Sequence, residues 1–261
     1  SNPVQIGISS WSLVSAGTNQ TLAIRTDGSL WAWGYNNTGQ LGLGDILHRS
    51  SPVQIGTSSW VQISTNLSGS VALRTDGAIF TWGTNAQGQL GDGTIVSKSS
   101  PVLIGTSSWT MVARGLSNTY ALNTDRTLFA WGANASGQIG DGSVTSYSSP
   151  VAITSIFTES QETAYIANTG ITYLSWAQVN GGMGSHSVGI KSDGSLWGWG
   201  NNTTAGNIFG LLGTSDTITR SSPTQIGTSQ FTLIAAPARV GTSSYSQVSA
   251  GSSHSPTTMR K

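Results

Sequence analysis

One nine-residue segment, Thr26–Gly34, recurs three more times along the chain in recognisable form. Three of its tryptophan anchors, Trp33, Trp82 and Trp131, are spaced by 49 residues, and Trp199 anchors the fourth copy. A period of about fifty residues is typical of an array of one repeated supersecondary unit. Residues that recur with the period should serve the scaffold, so functional residues should be sought where the repeat is broken.

Each unit contains four short strand patterns and a tight turn. In the first unit the strands are predicted at residues 11–17, 21–25, 29–33 and 51–56, and Asp27-Gly28 forms a hairpin turn between the second and third. Four short strands in a unit of this length predict an all-β fold, a β-propeller with one unit per blade. Arg126 stands where the third unit should have its turn glycine. We therefore expect either a changed turn or a tolerated strain of roughly 1 kcal/mol there.

The unit boundaries predict one propeller domain over residues 1–261. Its blades should open at Trp11, Trp60, Trp109, Phe157, Trp176, Phe231 and Tyr245. Three of these seven units are short, so we expect an intact protein of seven blades and about 350 residues, with parts of three blades missing from this chain. Residues 1–10 would be the closing strand of the last blade, which would lock the ring. The alternative is a five-bladed protein with two unusual insertions.

The composition excludes several classes of function. Only 8% of residues are charged, against roughly 25% in an average soluble protein, and the net charge is +1. This balance provides no field that would attract nucleic acid or an anionic membrane. The chain has no cysteine, which excludes disulfides and thiolate metal sites, and no apolar run approaches the length of a membrane span. These features favour an extracellular or virion-surface protein over a cytoplasmic one.

Catalytic groups are not recognisable in the sequence. Eight of the ten acidic residues fall on repeated turn or loop positions, which leaves only Glu159 and Glu162 outside the pattern. His186 and His254 also occupy a repeat position, and the spacing of the three histidines gives no metal site. No phosphate loop or nucleophile elbow is present in the required context. We therefore expect no enzyme activity, no metal and no cofactor.

Departures from the repeat are the better candidates for ligand binding. Arg114 replaces the small residues at the end of the first strand, a position that faces the channel in a propeller. An insertion at 201–209 lengthens the fourth complete unit, and loops added to one face of a repeat scaffold often bind. The predicted ligand-binding residues are Tyr35, Arg114, Asn201, Asn202 and Phe209.

The chain resembles the regulator of chromosome condensation repeat family. The resemblance rests on Val-Ser-Ala-Gly at 14–17, the Asp-Gly hairpin, Trp-x-Trp-Gly, Asn-x-x-Gly-Gln-Leu-Gly and Ser-Pro-Val. It implies a seven-bladed propeller with about 50 residues per blade. Members usually have a histidine before the second strand, where this chain has Gln20, Gly69, Asn118, His186 and His254. Bacterial and phage-type members, with Gly-Thr-Ser-Ser-Trp connections as at 56–60, are the most similar.

Three functions remain open at this point. The first is a non-catalytic interaction or adhesion module on a bacterial surface or phage particle, which binds a glycan or protein through one propeller face. The second is a structural decoration or assembly subunit of a particle. The third is an exchange-factor-like regulator of a small GTPase, the activity of the family's eukaryotic namesake, although no residue matches that activity and the low charge argues against chromatin binding.

Overall fold

The computed structural model describes residues 5–106, 108–153, 175–182, 185–203 and 210–230. These residues form sixteen strands in four antiparallel sheets of four strands each. The first sheet contains β1 (Trp11–Ala16), β2 (Gln20–Arg25), β3 (Leu30–Gly34) and β4 (Arg49–Gln54). The second contains β5 (Trp60–Thr65), β6 (Gly69–Arg74), β7 (Ile79–Gly83) and β8 (Lys98–Ile104). The third contains β9 (Trp109–Arg114), β10 (Asn118–Asn123), β11 (Leu128–Gly132) and β12 (Tyr147–Ala152). The fourth contains β13 (Trp176–Gly181), β14 (His186–Lys191), β15 (Ser195–Gly200) and β16 (Arg220–Gln230).

Strands follow one another in chain order within every sheet, as expected for propeller blades. The second and third strands pair with the same register in each sheet, for example Ile24 with Leu30 and Leu73 with Ile79. Asp27-Gly28 and its counterparts close this hairpin, and Gly28 has a φ of 84°. Arg126 takes the equivalent position with a φ of 62°, so the third turn keeps its shape and the strain is tolerated.

The hydrophobic core lies between successive sheets. One cluster joins Leu22 and Leu30 of the first sheet to Trp60 and Trp82 of the second. Equivalent clusters join the second sheet to the third and the third to the fourth. A four-stranded sheet cannot bury both of its faces alone, and stacking on its neighbours removes this apolar surface from water. Val14 of β1 stays 69% exposed because no described sheet covers it, whereas its counterpart Val112 is 2% exposed.

In the first three sheets, the Gly-Gln-Leu-Gly or Gly-Gln-Ile-Gly segment of the loop between the third and fourth strands reaches over to the following sheet. The Trp82 indole donates to the Gln40 carbonyl at 2.9 Å, and Trp199 donates to the Gln138 carbonyl at the same distance. The glycine after the leucine or isoleucine has a positive φ and lies directly against the next sheet's tryptophan. A Cβ atom there would approach the indole to between 2.5 and 2.8 Å, which explains why the segment ends in glycine.

The all-β propeller-blade architecture predicted from the period is therefore confirmed. The blade openings expected at Phe157, Phe231 and Tyr245 lie outside the described residues, and the total of seven blades stays a prediction. Residues 5–10 belong to no strand, and residues 1–4 of the expected closing strand lie outside the described part. Among the described residues, no helix has the length and apolar character needed to cross a membrane.

Candidate functional site

The loop between the third and fourth strands of each sheet is organised by one buried asparagine. These residues are fully buried, and they are Asn36, Asn85, Asn134 and Asn202. In each loop the asparagine Oδ1 accepts the backbone N–H of a buried leucine or isoleucine, at 2.8–2.9 Å. The Nδ2 group donates to carbonyl oxygens later in the loop, such as those of Asp45 and Leu47 in the first sheet. The amide therefore holds the two sides of the loop together.

An aspartate side chain completes each loop from one of two sequence positions. Asp45 and Asp216 pair with arginines four residues later, at 2.6 and 2.7 Å. Asp92 lies 3.5 Å from the Lys98 ammonium, and the Tyr147 hydroxyl donates to Asp141 at 2.6 Å. Each of the four carboxylates also accepts from the asparagine Nδ2, at 3.1–3.4 Å. The two aspartate positions, which differ in sequence, thus make the same contact in space.

These contacts lower the pKa of all four carboxyl groups. For Asp216 the first cause is the hydrogen bond from Arg220, and for Asp45 it is the Leu47 backbone N–H. For Asp92 and Asp141 burial raises the pKa, but hydrogen bonds outweigh it, first from Thr94 and from Tyr147 respectively. The Arg74 guanidinium likewise lowers the pKa of Asp76, on the hairpin side, to about 2.

We therefore expect the fold to lose stability in acid. A carboxyl whose folded pKa lies below its unfolded value of about 3.9 stabilises the fold above that pH and loses this contribution as the pH falls towards the folded pKa. The midpoint of thermal unfolding should stay level from about pH 7 to pH 5 and drop between about pH 4 and pH 2. Calorimetry across this range checks it, with Asp216→Asn as a variant whose drop is smaller. A midpoint that is unchanged down to pH 2 would contradict the expectation.

Aliphatic side chains stand exposed at the same place on all four loops. They occupy two adjacent loop positions, one to four residues after the loop's aspartate, and are 59–67% exposed. The first position holds Ile46, Ile95 and Val144, and the second holds Leu47, Val96 and Ile218. The hydrogen bonds of the buried asparagine hold the backbone on which they stand, as at the Leu47 and Val96 carbonyls. We call this set the aliphatic row. The repeat places these side chains on the corresponding loop of every described sheet.

The first loop differs from the others by an aromatic pair. The Tyr35 ring stacks on the His48 ring, with centroids 4.6 Å apart and planes inclined by 17°. The His48 Nδ1 atom accepts the Asn36 backbone N–H at 3.0 Å, a place that hydroxyl groups take in the other loops. The Asn37 side-chain amide donates to the Tyr35 hydroxyl. Tyr35 is 40% exposed, and ligand binding by this residue stays a prediction.

Arg114 lies inside the interface between the second and third sheets, with only 4% of its surface exposed. Its Nη1 group donates to the Thr119 hydroxyl at 3.3 Å and approaches the Gln89 carbonyl at 3.5 Å. Its Nε atom has no hydrogen-bond partner, and none of the ion pairs in the described part of the chain includes it. Burial lowers the pKa of the guanidinium to about 9, so the side chain remains charged at neutral pH. Its predicted role in ligand binding is untested, but the structure gives it a packing role.

The space for Arg114 comes from an exchange of residues in the second sheet. The first, third and fourth sheets combine a glycine with a larger side chain that packs over it: Gly17 with Gln20, Gly115 with Asn118, and Gly182 with His186. The second sheet has Asn66 and Gly69 in the opposite order. A Cβ at Gly69 would overlap the Arg114 guanidinium, and Asn66 instead reaches forward to the carbonyls of Gly115 and Leu116.

Only part of the insertion predicted in the fourth loop lies within the described residues. Asn202 is the repeat's buried asparagine, and its Nδ2 group donates to the Asp216 carbonyl at 2.9 Å. Asn201 accepts the Thr203 backbone N–H at 3.1 Å and is partly exposed. The additional residues of this loop therefore begin after Asn202. Phe209 lies outside the described residues, and ligand binding by all three residues stays a prediction.

Another buried cation belongs to the scaffold. Lys191 is 1% exposed, and its ammonium lies 4.3 Å from the ring centre of Trp197 and 5.5 Å from that of Trp176. Arg25 makes the equivalent contact in the first sheet, 3.6 Å from the centre of Trp31. Because the contact recurs with the repeat, it is best explained by cation–π packing between neighbouring strands. No group of three or more potential metal-ligating side chains occurs within the described ranges.

Comparison with solved structures finds propellers at low sequence identity. Human WBSCR16 has a TM-score of 0.72 and 22% identity, over 87% of this chain and 55% of its own length. Prp20p from Saccharomyces cerevisiae, studied for its binding to Gsp1p and histones, has a TM-score of 0.64 and 19% identity, over 86% of this chain and 52% of its own length. This chain thus spans about half the length of these structures, and the likeness concerns the fold. No curated protein matches the sequence significantly.

Family models match the repeats themselves. Two models, both described as the regulator of chromosome condensation (RCC1) repeat, match this chain. The first covers residues 27–73 and 76–122, and the second covers 11–40, 60–89 and 176–204. Together they include ten of the twelve strands of the first three sheets and three of the four strands of the fourth. Since these matches extend over more than half of the sequence and fall on four-stranded blades, the chain belongs to the RCC1 repeat family of β-propellers.

Proposed function

We propose that the chain is a non-catalytic interaction module that binds a protein partner through the aliphatic row. The observation that carries the proposal is the exposure of six aliphatic side chains at two adjacent loop positions, with at least one on each of the four sheets. Isolated exposed apolar residues are ordinary on a protein surface, and the recurrence of these side chains from loop to loop is what supports an interaction site here. The buried asparagines order these loops before binding, so a partner would pay little entropy to engage them.

The charges beside the row fit a partner with an apolar, uncharged contact surface. Asp45 with Arg49, Asp92 with Lys98 and Asp216 with Arg220 form ion pairs within their own loops. These pairs leave little net charge to attract an acidic or basic partner. The low charged fraction and the absence of cysteine extend the proposal to a location outside the cytoplasm, on a cell surface or virus particle.

The test is capture of a partner with the row intact and with the row made polar. A photo-reactive residue at position 95 should crosslink a protein from the native host or particle, and the same residue at the exposed hairpin position 125 should not. The triple variant Ile46→Asp, Ile95→Asp, Val144→Asp should fold normally because these side chains are exposed, and should lose most of the capture. Undiminished capture by the triple variant would reject the row as the binding surface. Release of bound guanine nucleotide from a small GTPase, unaffected by the triple variant, would favour the exchange-factor alternative instead.

A further inference from the structure

Three departures from the repeat meet on the first loop. Tyr35, Asn37 and His48 have Thr84, Ala86 and Ser97 as their counterparts on the second loop. On the third loop the counterparts are Ala133, Ala135 and Ser146. The three residues are spread over fourteen positions of the chain, yet the structure brings them into direct contact. The fold does not require these larger side chains. In the second and third loops, small side chains accept the same backbone N–H hydrogen bond.

The cluster presents an aromatic face with polar groups at its edge. His48 covers one face of the Tyr35 ring, so the exposed area of this tyrosine lies on the opposite face and the ring edge. The Tyr35 hydroxyl accepts from Asn37 and keeps its own hydrogen for donation. His48 uses Nδ1 as an acceptor, so the neutral ring carries its hydrogen on Nε2, which remains a donor. Asn37 is exposed, and its side-chain oxygen remains an acceptor.

We propose that Tyr35, Asn37 and His48 form a binding site for one ring of a neutral saccharide. A pyranose ring has an apolar face of C–H groups, which carry partial positive charge and fit the electron-rich face of an aromatic ring. Its hydroxyl groups lie around the ring edge, where a hydroxyl, an amide and an imidazole N–H can donate to or accept from them. Stacking and edge contacts together match the two kinds of surface that this cluster offers.

The charges nearby select a neutral sugar over an acidic one. The nearest cation in sequence, Arg49, is held by the Asp45 carboxylate at 2.6 Å and also donates to the Leu47 carbonyl at 2.7 Å. The Arg49 guanidinium is therefore already paired and offers little attraction to a carboxylated or sulfated sugar. This site differs in chemistry from the aliphatic row, so its existence does not depend on the proposed protein partner.

The decisive variants exchange residues between loops of the same scaffold. Tyr35→Thr, Asn37→Ala and His48→Ser give the first loop the residues of the second, where the Ser97 hydroxyl accepts the equivalent N–H at 3.2 Å. The reciprocal variant carries Thr84→Tyr, Ala86→Asn and Ser97→His. Both should fold, because each loop then holds side chains that its counterpart already accommodates.

The probe is a set of neutral oligosaccharides of glucose, galactose, mannose and N-acetylglucosamine, with sialylated and sulfated oligosaccharides for comparison. We expect saturable binding of at least one neutral oligosaccharide by the full chain in isothermal titration. Tyr35→Thr should weaken it by about tenfold or more, since the stacking face is lost. The reciprocal variant should raise the stoichiometry towards two sites.

Three results would overturn the proposal. They are no binding of any neutral oligosaccharide at concentrations up to about 10 mM, equal binding by the loop-exchanged variant, or binding of acidic sugars alone. Partner capture through the aliphatic row is measured separately with the Ile95 variants. Failure of the saccharide site therefore leaves that result standing, and failure of the protein partner leaves the titrations unaffected.

Discussion

Replacement of Asn85 by alanine should destabilise the second sheet and its loop by about 2–4 kcal/mol. The Asn85 Oδ1 atom accepts the Leu90 N–H at 2.9 Å, and Nδ2 donates to the Thr94 carbonyl at 3.0 Å and the Val96 carbonyl at 3.2 Å. Alanine leaves these backbone groups without this partner, and the Leu90 N–H loses it at a fully buried site. A buried polar group that loses its partner costs roughly 1–3 kcal/mol, and several groups lose theirs together.

Two variants of the same loop separate the hydrogen bonds from the general effects of substitution. Gln87→Ala removes an exposed side chain two residues away and should change stability by less than about 0.5 kcal/mol. Asn85→Asp keeps the shape but turns Nδ2 into an oxygen facing the Asp92 carboxylate, so it should be nearly as damaging as alanine at neutral pH. Urea denaturation measures all three. An Asn85→Ala loss no larger than that of Gln87→Ala would show that the asparagine does not hold the loop.

The strands and hairpin turns of the repeated unit could be predicted from the sequence. The 49-residue spacing of Trp33, Trp82 and Trp131 is enough to predict four strands per unit, since each copy repeats the same alternation and the same turn. The Asp-Gly pair predicts the hairpin, because glycine readily takes the positive φ that tight turns between two strands favour. At Arg126 the sequence leaves open a changed turn or a tolerated strain, and the structure shows the turn kept with Arg126 at a φ of 62°.

Side-chain contacts, both within one unit and between units, could not be predicted from the period in the same way. Asp45 and Asp92 stand at different loop positions in the sequence, yet both accept from their asparagine because the loop backbone folds around that amide. In the sequence, Tyr35 and His48 are two separate departures from the repeat, and only the folded loop shows that their rings stack. The strand-end position of Arg114 predicts a side chain that faces the channel, whereas the structure buries its guanidinium against Gly69 of the neighbouring sheet. A period defines what one unit contains and gives little information on which side chains cross between units.

Replacement of Gly69 by alanine should destabilise the protein by about 1–3 kcal/mol through its effect on Arg114. Gly69 has no positive φ, so the backbone accepts an alanine, and the cost comes from overlap with the guanidinium. Arg114 has little freedom to move away, because its Nη1 group is bonded to Thr119 and the side chain is enclosed. The measurement is the change in unfolding free energy in urea.

Arg114→Ala provides the matched change, and its combination with Gly69→Ala distinguishes overlap from any other effect of the new methyl group. Arg114→Ala alone has two opposite effects on stability. The lost packing destabilises the fold, whereas removal of a buried charge with an unpartnered Nε atom stabilises it. Once the guanidinium is gone, the alanine at position 69 fills empty space, so the double variant should be more stable than the sum of the single changes predicts by about 1–2 kcal/mol. Additive effects within about 0.5 kcal/mol would mean that the two positions do not interact. A positive coupling would show that the departure at Arg114 is compensated one blade earlier, at Gly69, and that this irregularity of the repeat is structural in origin.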